Sequence, residues 1–196
     1  MEQSIIELKT GNIPQEIHPM IRGRWSPRAF SEQPITQKMM EELFEAARWA
    51  PSAFNEQPWQ FVYALKGTEG FEKLWACLSS GNQPWVKNAA AITVAMIRKT
   101  YVRNGKLNHW ASHDLGLANA QLLVQAMSRD LYGHLMAGFD ASKVVEMLNL
   151  SEDVEPICMG AFGYLGKPES LEEPYHTREL ATRTRKPTSE FVTKLD

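Results

Sequence analysis

Cysteine and long apolar runs are scarce in this sequence, and each shortage narrows what the protein can be. Only two of its 196 residues are cysteines, Cys77 and Cys158, and they form no motif, so reduced thiols are expected. The longest apolar run, residues 89–97 interrupted only by Thr93, is far shorter than the roughly 20 residues that span a bilayer. The first residues lack the basic and apolar regions of a signal peptide. Together these absences predict a cytoplasmic protein with no membrane partner.

The sequence also lacks an excess of charge of either sign. The formal net charge is −2 and the sequence pI is about 6.2, which gives no electrostatic case for a nucleic-acid partner. The chain has no Walker A loop, no Gly-x-Ser-x-Gly and no Cys-x-x-Cys. Glycines 160, 163 and 166 are spaced GxxGxxG rather than GxGxxG, so a dinucleotide-binding fold is unsupported. His109 and His113 stand at i, i+4 without a zinc motif around them, and no metal site is predicted.

The ordered apolar pattern predicts one domain over residues 1–196, with an α+β fold. A helix begins after Thr36 as N-cap and ends before Pro51, and Asp140 is a second candidate cap. The pattern further predicts strands at 60–65, 89–97 and 156–165 and a long helix at 111–131. Strands separated by helices are also compatible with a doubly wound parallel sheet. Because the strands are few and no Gly-rich turn follows the first, helices on both sides of a small mixed sheet fit better.

The first polar segment that suggests a ligand is residues 24–30. Arg24, Ser26 and Arg28 place two guanidinium groups and a hydroxyl within five residues. Arginine suits a phosphate because its planar fork makes bidentate, charge-assisted hydrogen bonds. A solvated basic turn is the alternative for three residues taken alone.

The second is a loop at residues 50–59 that lies before a strand. Its small and amide side chains, including Ser52 and Asn55, and its free backbone groups are suited to the polar edge of a flat heterocycle. Such loops are also common helix terminators. The two segments together indicate a site for a redox cofactor.

Three further residues are candidates for the same site. Arg183 and Arg185 could converge on the same anion, although alone they read as a surface charge cluster. Asn82, in a Gly-Asn turn, could donate to a cofactor oxygen, although such residues are usually turn formers.

The charged C-terminal tail has too little apolar content to pack by itself. It is therefore either unattached or wrapped around a partner.

Taken in order, these segments resemble the FMN-dependent nitroreductase family. The likeness begins with Arg-x-Ser-x-Arg-x-Phe at 24–30 and continues, after a helix, with Ala-Pro-Ser-x-x-Asn-x-Gln-Pro-Trp-x-Phe at 50–61. It extends through Gly81-Asn82, the long helix, residues 134–140 and Arg183-Thr184-Arg185, and so covers about residues 18–192.

The resemblance implies a three-layer fold and a homodimer with two FMN sites between the subunits, the C-terminal extension of each wrapping its partner. It places the phosphate against Arg24, Ser26, Arg183 and Arg185, the pyrimidine edge of the flavin against Arg28, and Asn82 on the same subunit. It brings Pro51, Ser52, Ala53 and Asn55 from the other subunit. Backbone at Met136, Ala137 and Gly138 approaches the N5 side of the ring, and no side chain is assigned as catalytic.

The resemblance also implies an activity. NADH or NADPH passes hydride to flavin N5, and a nitroaromatic, quinone or related electron-poor acceptor then takes it in the same cleft, by a ping-pong scheme. The alternative is a protein that stores or senses flavin without turning over NAD(P)H. Trp25 stands where many relatives carry a basic or small polar residue, which predicts a less positive phosphate end.

Overall fold

The computed structural model describes residues 2–10 and 16–196, and its centre is a four-stranded sheet. The strands are β1 (Trp59–Leu65), β2 (Ala91–Arg98), β3 (Tyr132–Met136) and β4 (Val154–Gly163), in the order β1-β2-β4-β3. Each neighbouring pair is antiparallel. The prediction of a mixed sheet is therefore wrong, because the apolar pattern of a strand shows which faces are buried but not which way the strand runs.

The described residues also form eight α-helices. They are α1 (Glu2–Thr10), α2 (Pro19–Gly23), α3 (Gln37–Arg48), α4 (Glu69–Ala76), α5 (Gln83–Val86), α6 (Ala111–Met127), α7 (Ala141–Leu148) and α8 (Tyr175–Leu180). Short 3-10 turns lie at Ala53–Asn55, Pro168–Ser170 and Thr188–Glu190. Both predicted caps are confirmed: Thr36 Oγ1 accepts from the backbone N of Met39 at 3.2 Å, and Asp140 Oδ1 from that of Lys143 at 3.1 Å.

The helices cover the sheet on both faces, which confirms the predicted layers. Strand β2 is buried along nearly its whole length, and its side chains alternate between the two faces. Ile92, Val94 and Met96 pack with α4, α5 and α7 on one face. On the opposite face, Ala91 joins the core formed by α3 and α6, and Ala95 packs against the start of α6. We call these the α4–α5 face and the α3–α6 face.

The segment at 24–30 is fixed along the end of β4. Ser31 N donates to the carbonyl of Tyr164 at 3.0 Å, and Gly166 N donates to that of Ala29 at 2.8 Å. A Cβ on Gly166 would lie 2.5 Å from the carbonyl of Phe30, so only glycine lets the two backbones approach this closely. The backbone that carries the first predicted arginines is thus held by the sheet.

Candidate functional site

The two ends of the chain meet in a cleft of about 320 Å³. It is lined by residues 24–26, Arg28, residues 178–179 and 181–185, together with Lys9 from α1. Five predicted site residues are therefore brought together: Arg24, Ser26, Arg28, Arg183 and Arg185. The cationic side chains in its walls are Lys9, Arg24, Arg28, Arg178, Arg183 and Arg185, and the one carboxylate among the lining residues is Glu179. The cleft is therefore strongly cationic, although the chain has a net charge of −2.

Hydrogen bonds between distant parts of the sequence hold the cleft in shape. Arg183 Nη1 donates to the carbonyls of Arg22 at 3.1 Å and Arg24 at 2.8 Å. Glu179, which is fully buried, accepts from the backbone N of Arg28 at 2.9 Å and of Ala29 at 3.3 Å. These contacts bind the C-terminal segment to residues 22–29.

The electrostatics of the cleft favour an anion. Burial lowers the pKa of Arg24 and of Arg183, and the positive charge of Arg185 lowers both further. Burial also lowers the pKa of Arg28. Because guanidinium groups stay protonated in proteins, they repel one another in the cleft, and an entering anion would reduce that repulsion. A phosphate fits this donor set, since each guanidinium offers paired N–H donors to its oxygens.

A second predicted group, Asn82 with Met136–Gly138, is also brought together. Asn82 Nδ2 donates to the carbonyl of Gly138 at 2.9 Å, and Ser79 N donates to the same oxygen at 3.0 Å. A Cβ on Gly138 would lie 2.7 Å from Asn82 Nδ2 and 2.9 Å from Ser79 Oγ. Glycine at 138 therefore lets the end of β3 lie directly against the start of α5.

Trp85 and His134 connect this second group to the cleft. The Trp85 ring lies 4.6 Å from the His134 ring, and the Arg28 guanidinium lies 5.9 Å from the Trp85 ring, measured between centres. His134 Nδ1 is 2.9 Å from the carbonyl of Pro27, and since a carbonyl only accepts, Nδ1 carries the proton. Burial, helped by the charges of Arg28 and Arg24, lowers the pKa of His134 to about 4. The ring is therefore neutral at pH 7.

The remaining predicted residues, Pro51, Ser52, Ala53 and Asn55, do not line the cleft. Their loop follows Ala50, which is buried on the α3–α6 face, and the backbone N of Ala53 donates to Asp114 Oδ2 on α6 at 2.9 Å. Ser52 Oγ accepts from the backbone N of Gln57 at 3.0 Å. The loop is thus a well-held structure on the other side of the sheet.

The loop also carries backbone strain and exposed aromatic groups. Phe54, Asn55 and Gln57 have φ values of 57°, 56° and 50°, in the left-handed region that only asparagine tolerates well among the three. Trp49 and Phe54 are 73% and 70% exposed. Strained, exposed segments of this kind are commonly found at functional sites.

Sequence reasoning missed several residues of the site, including Lys9, Trp85, His134 and Glu179. His134 lies in the segment that carries the resemblance, but it was given no role. Lys9 follows Ile5 and Leu8, whose i, i+3 spacing is the one sequence signal for a short amphipathic helix. Glu179 gave no signal, because a buried glutamate in a charged tail looks like a surface residue.

A histidine and a carboxylate also lie side by side on α6. His113 Nδ1 lies 3.1 Å from Asp114 Oδ1. Across residues 2–10 and 16–196, no three His, Cys, Asp or Glu side chains group as metal ligands would. Over the same residues, no helix has the length and apolar content needed to cross a membrane.

Comparison with known proteins gives a consistent result. The model of the nitroreductase family matches residues 21–83 and 71–164. A solved structure of an oxidoreductase containing FMN is 31% identical to this chain. The match covers 93% of each of the two chains, with a TM-score of 0.89. A nitroreductase family protein from Clostridium difficile 630 shares the fold at 22% identity, with 91% of this chain and 98% of that one covered and a TM-score of 0.70. An uncharacterized 15.4 kDa protein encoded in the ask 5' region of Mycolicibacterium smegmatis is 32% identical over 117 residues, which are 60% of this chain and 77% of that protein.

Proposed function

Since the chain belongs to the nitroreductase family, we propose that it is an FMN-dependent oxidoreductase that takes hydride from NADH or NADPH and delivers it to nitroaromatic, quinone or related acceptors. The observation that carries the proposal is the convergence of Arg24, Ser26 and Arg28 with Arg183 and Arg185 on one cleft. The likeness to an oxidoreductase containing FMN supports the cofactor. The proposal includes NADH or NADPH as the electron donor, an electron-poor acceptor and a cytoplasmic location.

The cationic cleft would bind the phosphate of FMN. Arg183 uses Nη1 to hold the backbone at Arg22 and Arg24, and a guanidinium has five N–H donors in all, so donors remain for phosphate oxygens. Arg24, Arg185 and the Ser26 hydroxyl add further donors in the same walls. Phosphate binding would also relieve the repulsion among the guanidinium groups.

The flavin ring would extend from Arg28 towards residues 136–138. When bound, FMN supplies hydride acceptance and hydride donation at N5. Arg28 would stabilise negative charge at the pyrimidine edge of the ring. Neutral His134 adds no second charge behind Arg28, and the backbone around Gly138 presents a surface without a side chain at that position. No acid or base side chain is needed in this scheme.

The loop at 51–55 would complete the site from a second copy of the chain. It lies on the α3–α6 face, whereas residues 24–30 pack with the core of the α4–α5 face. Exposed apolar side chains in the tail, including Phe191, Val192 and Leu195, are suited to cover a partner. We therefore propose a homodimer with shared sites and a wrapping tail.

The direct test is a visible spectrum of the purified protein, followed by anaerobic titration with NADPH and NADH. A flavin spectrum that bleaches within seconds and recovers on addition of a quinone supports the proposal. A yellow protein that does not bleach indicates flavin storage or sensing instead. A colourless protein that takes up no added FMN refutes the assignment.

A further inference from the structure

Helix α1 delivers a buried lysine to the phosphate cleft. Ile5 is buried in the core of the α4–α5 face and Leu8 packs against the same core, so the helix is docked. Lys9 is only 5% exposed, and its Nζ lies 4.8 Å above the centre of the Trp25 ring. The same Nζ donates to the carbonyl of Ala181 at 2.5 Å.

The protein groups around Lys9 leave its charge poorly balanced. An ammonium group removed from water normally needs an anionic partner. Among the described lining residues the one carboxylate is Glu179, whose charge favours protonated Lys9; this carboxylate also faces Arg28, and its oxygens accept from the backbone of Arg28 and Ala29. Burial lowers the pKa of Lys9; Glu179 acts against this shift, and the charges of Arg28 and Arg183 add to it.

A ligand can supply the missing negative charge. An ammonium has three donors, and Ala181 takes one of them. A phosphomonoester carries about −1.5 to −2 charges near pH 7 and three acceptor oxygens. The cleft walls hold six cationic side chains against one carboxylate, so they can accept such a dianion and remain positive.

We propose that Lys9 is a phosphate-binding residue, and that α1 closes the cleft over the phosphomonoester of FMN. The proposal rests on the function proposed above and adds a cofactor-binding element from the N-terminal segment. In this proposal Lys9 supplies a positive charge beside Trp25, the residue that was expected to leave the phosphate end less positive. The indole face holds the Lys9 stem and ammonium in the position where the charge is needed.

The test compares FMN with riboflavin, which lacks the phosphate. Wild type, Lys9→Met, Lys9→Arg and the control Lys38→Met are freed of flavin, and each is titrated with both flavins while flavin fluorescence is followed. Methionine keeps an apolar stem against Trp25 and removes the charge. Lys38 is an exposed lysine on α3, away from the cleft.

We expect Lys9→Met to weaken FMN binding about tenfold or more, the size of a lost charge-assisted hydrogen bond, and to leave riboflavin binding unchanged. Lys9→Arg should retain most of the affinity, and Lys38→Met all of it. The salt dependence of FMN binding should be shallower in Lys9→Met than in wild type.

Two results would overturn the inference. One is an unchanged FMN affinity in Lys9→Met. The other is an equal loss of affinity for FMN and riboflavin, which would mean that Lys9 only maintains the shape of the cleft. If the methionine variant does not fold, Lys9→Gln is used for the same comparison. If wild type binds neither flavin, it is the proposed function that fails.

Discussion

Arg183 and Arg185 are two residues apart, yet the structure gives them different roles. Arg183 holds the backbone of Arg22 and Arg24, whereas Arg185 is exposed and donates to the adjacent carbonyl of Thr184 at 2.7 Å. Replacing Arg183 therefore removes structural contacts as well as a charge. Replacing Arg185 removes mainly a charge.

We expect Arg185→Gln to weaken FMN binding about tenfold with little change in the free energy of unfolding. Arg183→Gln should weaken binding and also lower the unfolding free energy by about 1–2 kcal/mol, because two carbonyls lose a charged donor. Urea unfolding of the flavin-free proteins separates the two effects. Equal stability of Arg183→Gln and wild type would contradict the structural role.

His134 makes stability depend on pH. Its pKa is about 4 in the folded protein and 6.5 as a free side chain. Between these values the unfolded chain binds a proton that the folded chain does not, so stability falls as the pH drops from 6.5 to 4 and levels off below. The contribution is about 3 kcal/mol over that window.

We expect His134→Asn to lose this pH dependence, because asparagine does not titrate there. The measurement is the unfolding free energy of both proteins from pH 7 to 4, with His109→Asn, at an exposed histidine, as control. The difference between variant and wild type isolates His134 from the carboxylates that titrate in the same range. A constant difference across the window would show that His134 titrates normally.

How much of the site the sequence revealed differs from residue to residue. Arg24, Ser26 and Arg28 were found because they are close together and their chemistry is specific. Lys9 and Glu179 were not, because their hydrogen-bond partners lie 150 or more residues away and a charged side chain carries no mark of burial. Long-range pairing of single charges is the part of this site that local patterns do not contain.

At the scale of elements, the anchor between α6 and the loop at 51–57 is the most informative contact. Asp114 is 2% exposed, and its Oδ2 accepts from the backbone N of Ala53. This hydrogen bond ties a strained loop to the longest helix. The loop can then keep the shape that the proposed dimer requires.

We expect Asp114→Ala to lower the unfolding free energy by about 1–3 kcal/mol, because the half-buried N–H of Ala53 loses its acceptor. Hydrogen exchange should accelerate in residues 52–57 more than elsewhere. Glu146→Ala, at an exposed acidic residue of α7, is the matched control. Unchanged exchange in the loop would show that the anchor is dispensable.

The sequence predicted elements well where periodicity and caps agreed, as for α3 and α7. It missed β3, a five-residue strand that includes Gly133 and His134 and so lacks a clear β pattern. It extended α6 to residue 131, whereas the helix ends at Met127. The apolar pattern continues because Leu131 is buried, but Asp130, with φ of 56°, turns the chain first.

The proposed dimer can be tested by removing the C-terminal tail, residues 188–196. Deleting residues 188–196 removes the exposed Phe191, Val192 and Leu195 but keeps Arg183 and Arg185 in the cleft. We expect the fold to persist and the dimer dissociation constant to rise about tenfold or more. Sedimentation at falling protein concentration measures this, with Lys194→Gln as control. Unchanged association would show that the tail does not bind the partner.

Complementation tests whether the sites are shared. Ser52→Tyr should block the site of the partner, and Arg185→Gln should weaken the site of its own subunit. A mixed dimer of the two variants should then regain one intact site and bind one FMN per dimer, although each homodimer binds poorly. Sites built within single subunits predict no tight binding in the mixed dimer.

The cleft combines segments that lie far apart in the sequence, and this has a consequence for the order of folding. The sheet is complete once residue 163 has been made, but the cleft needs contacts across 151 to 172 residues, including Glu179 with Arg28 and Lys9 with Ala181. Contacts that close such long loops form late in folding. A nascent chain on the ribosome can therefore assemble its sheet before residues 178–185 are available to complete the cleft, and cofactor loading would follow sheet formation.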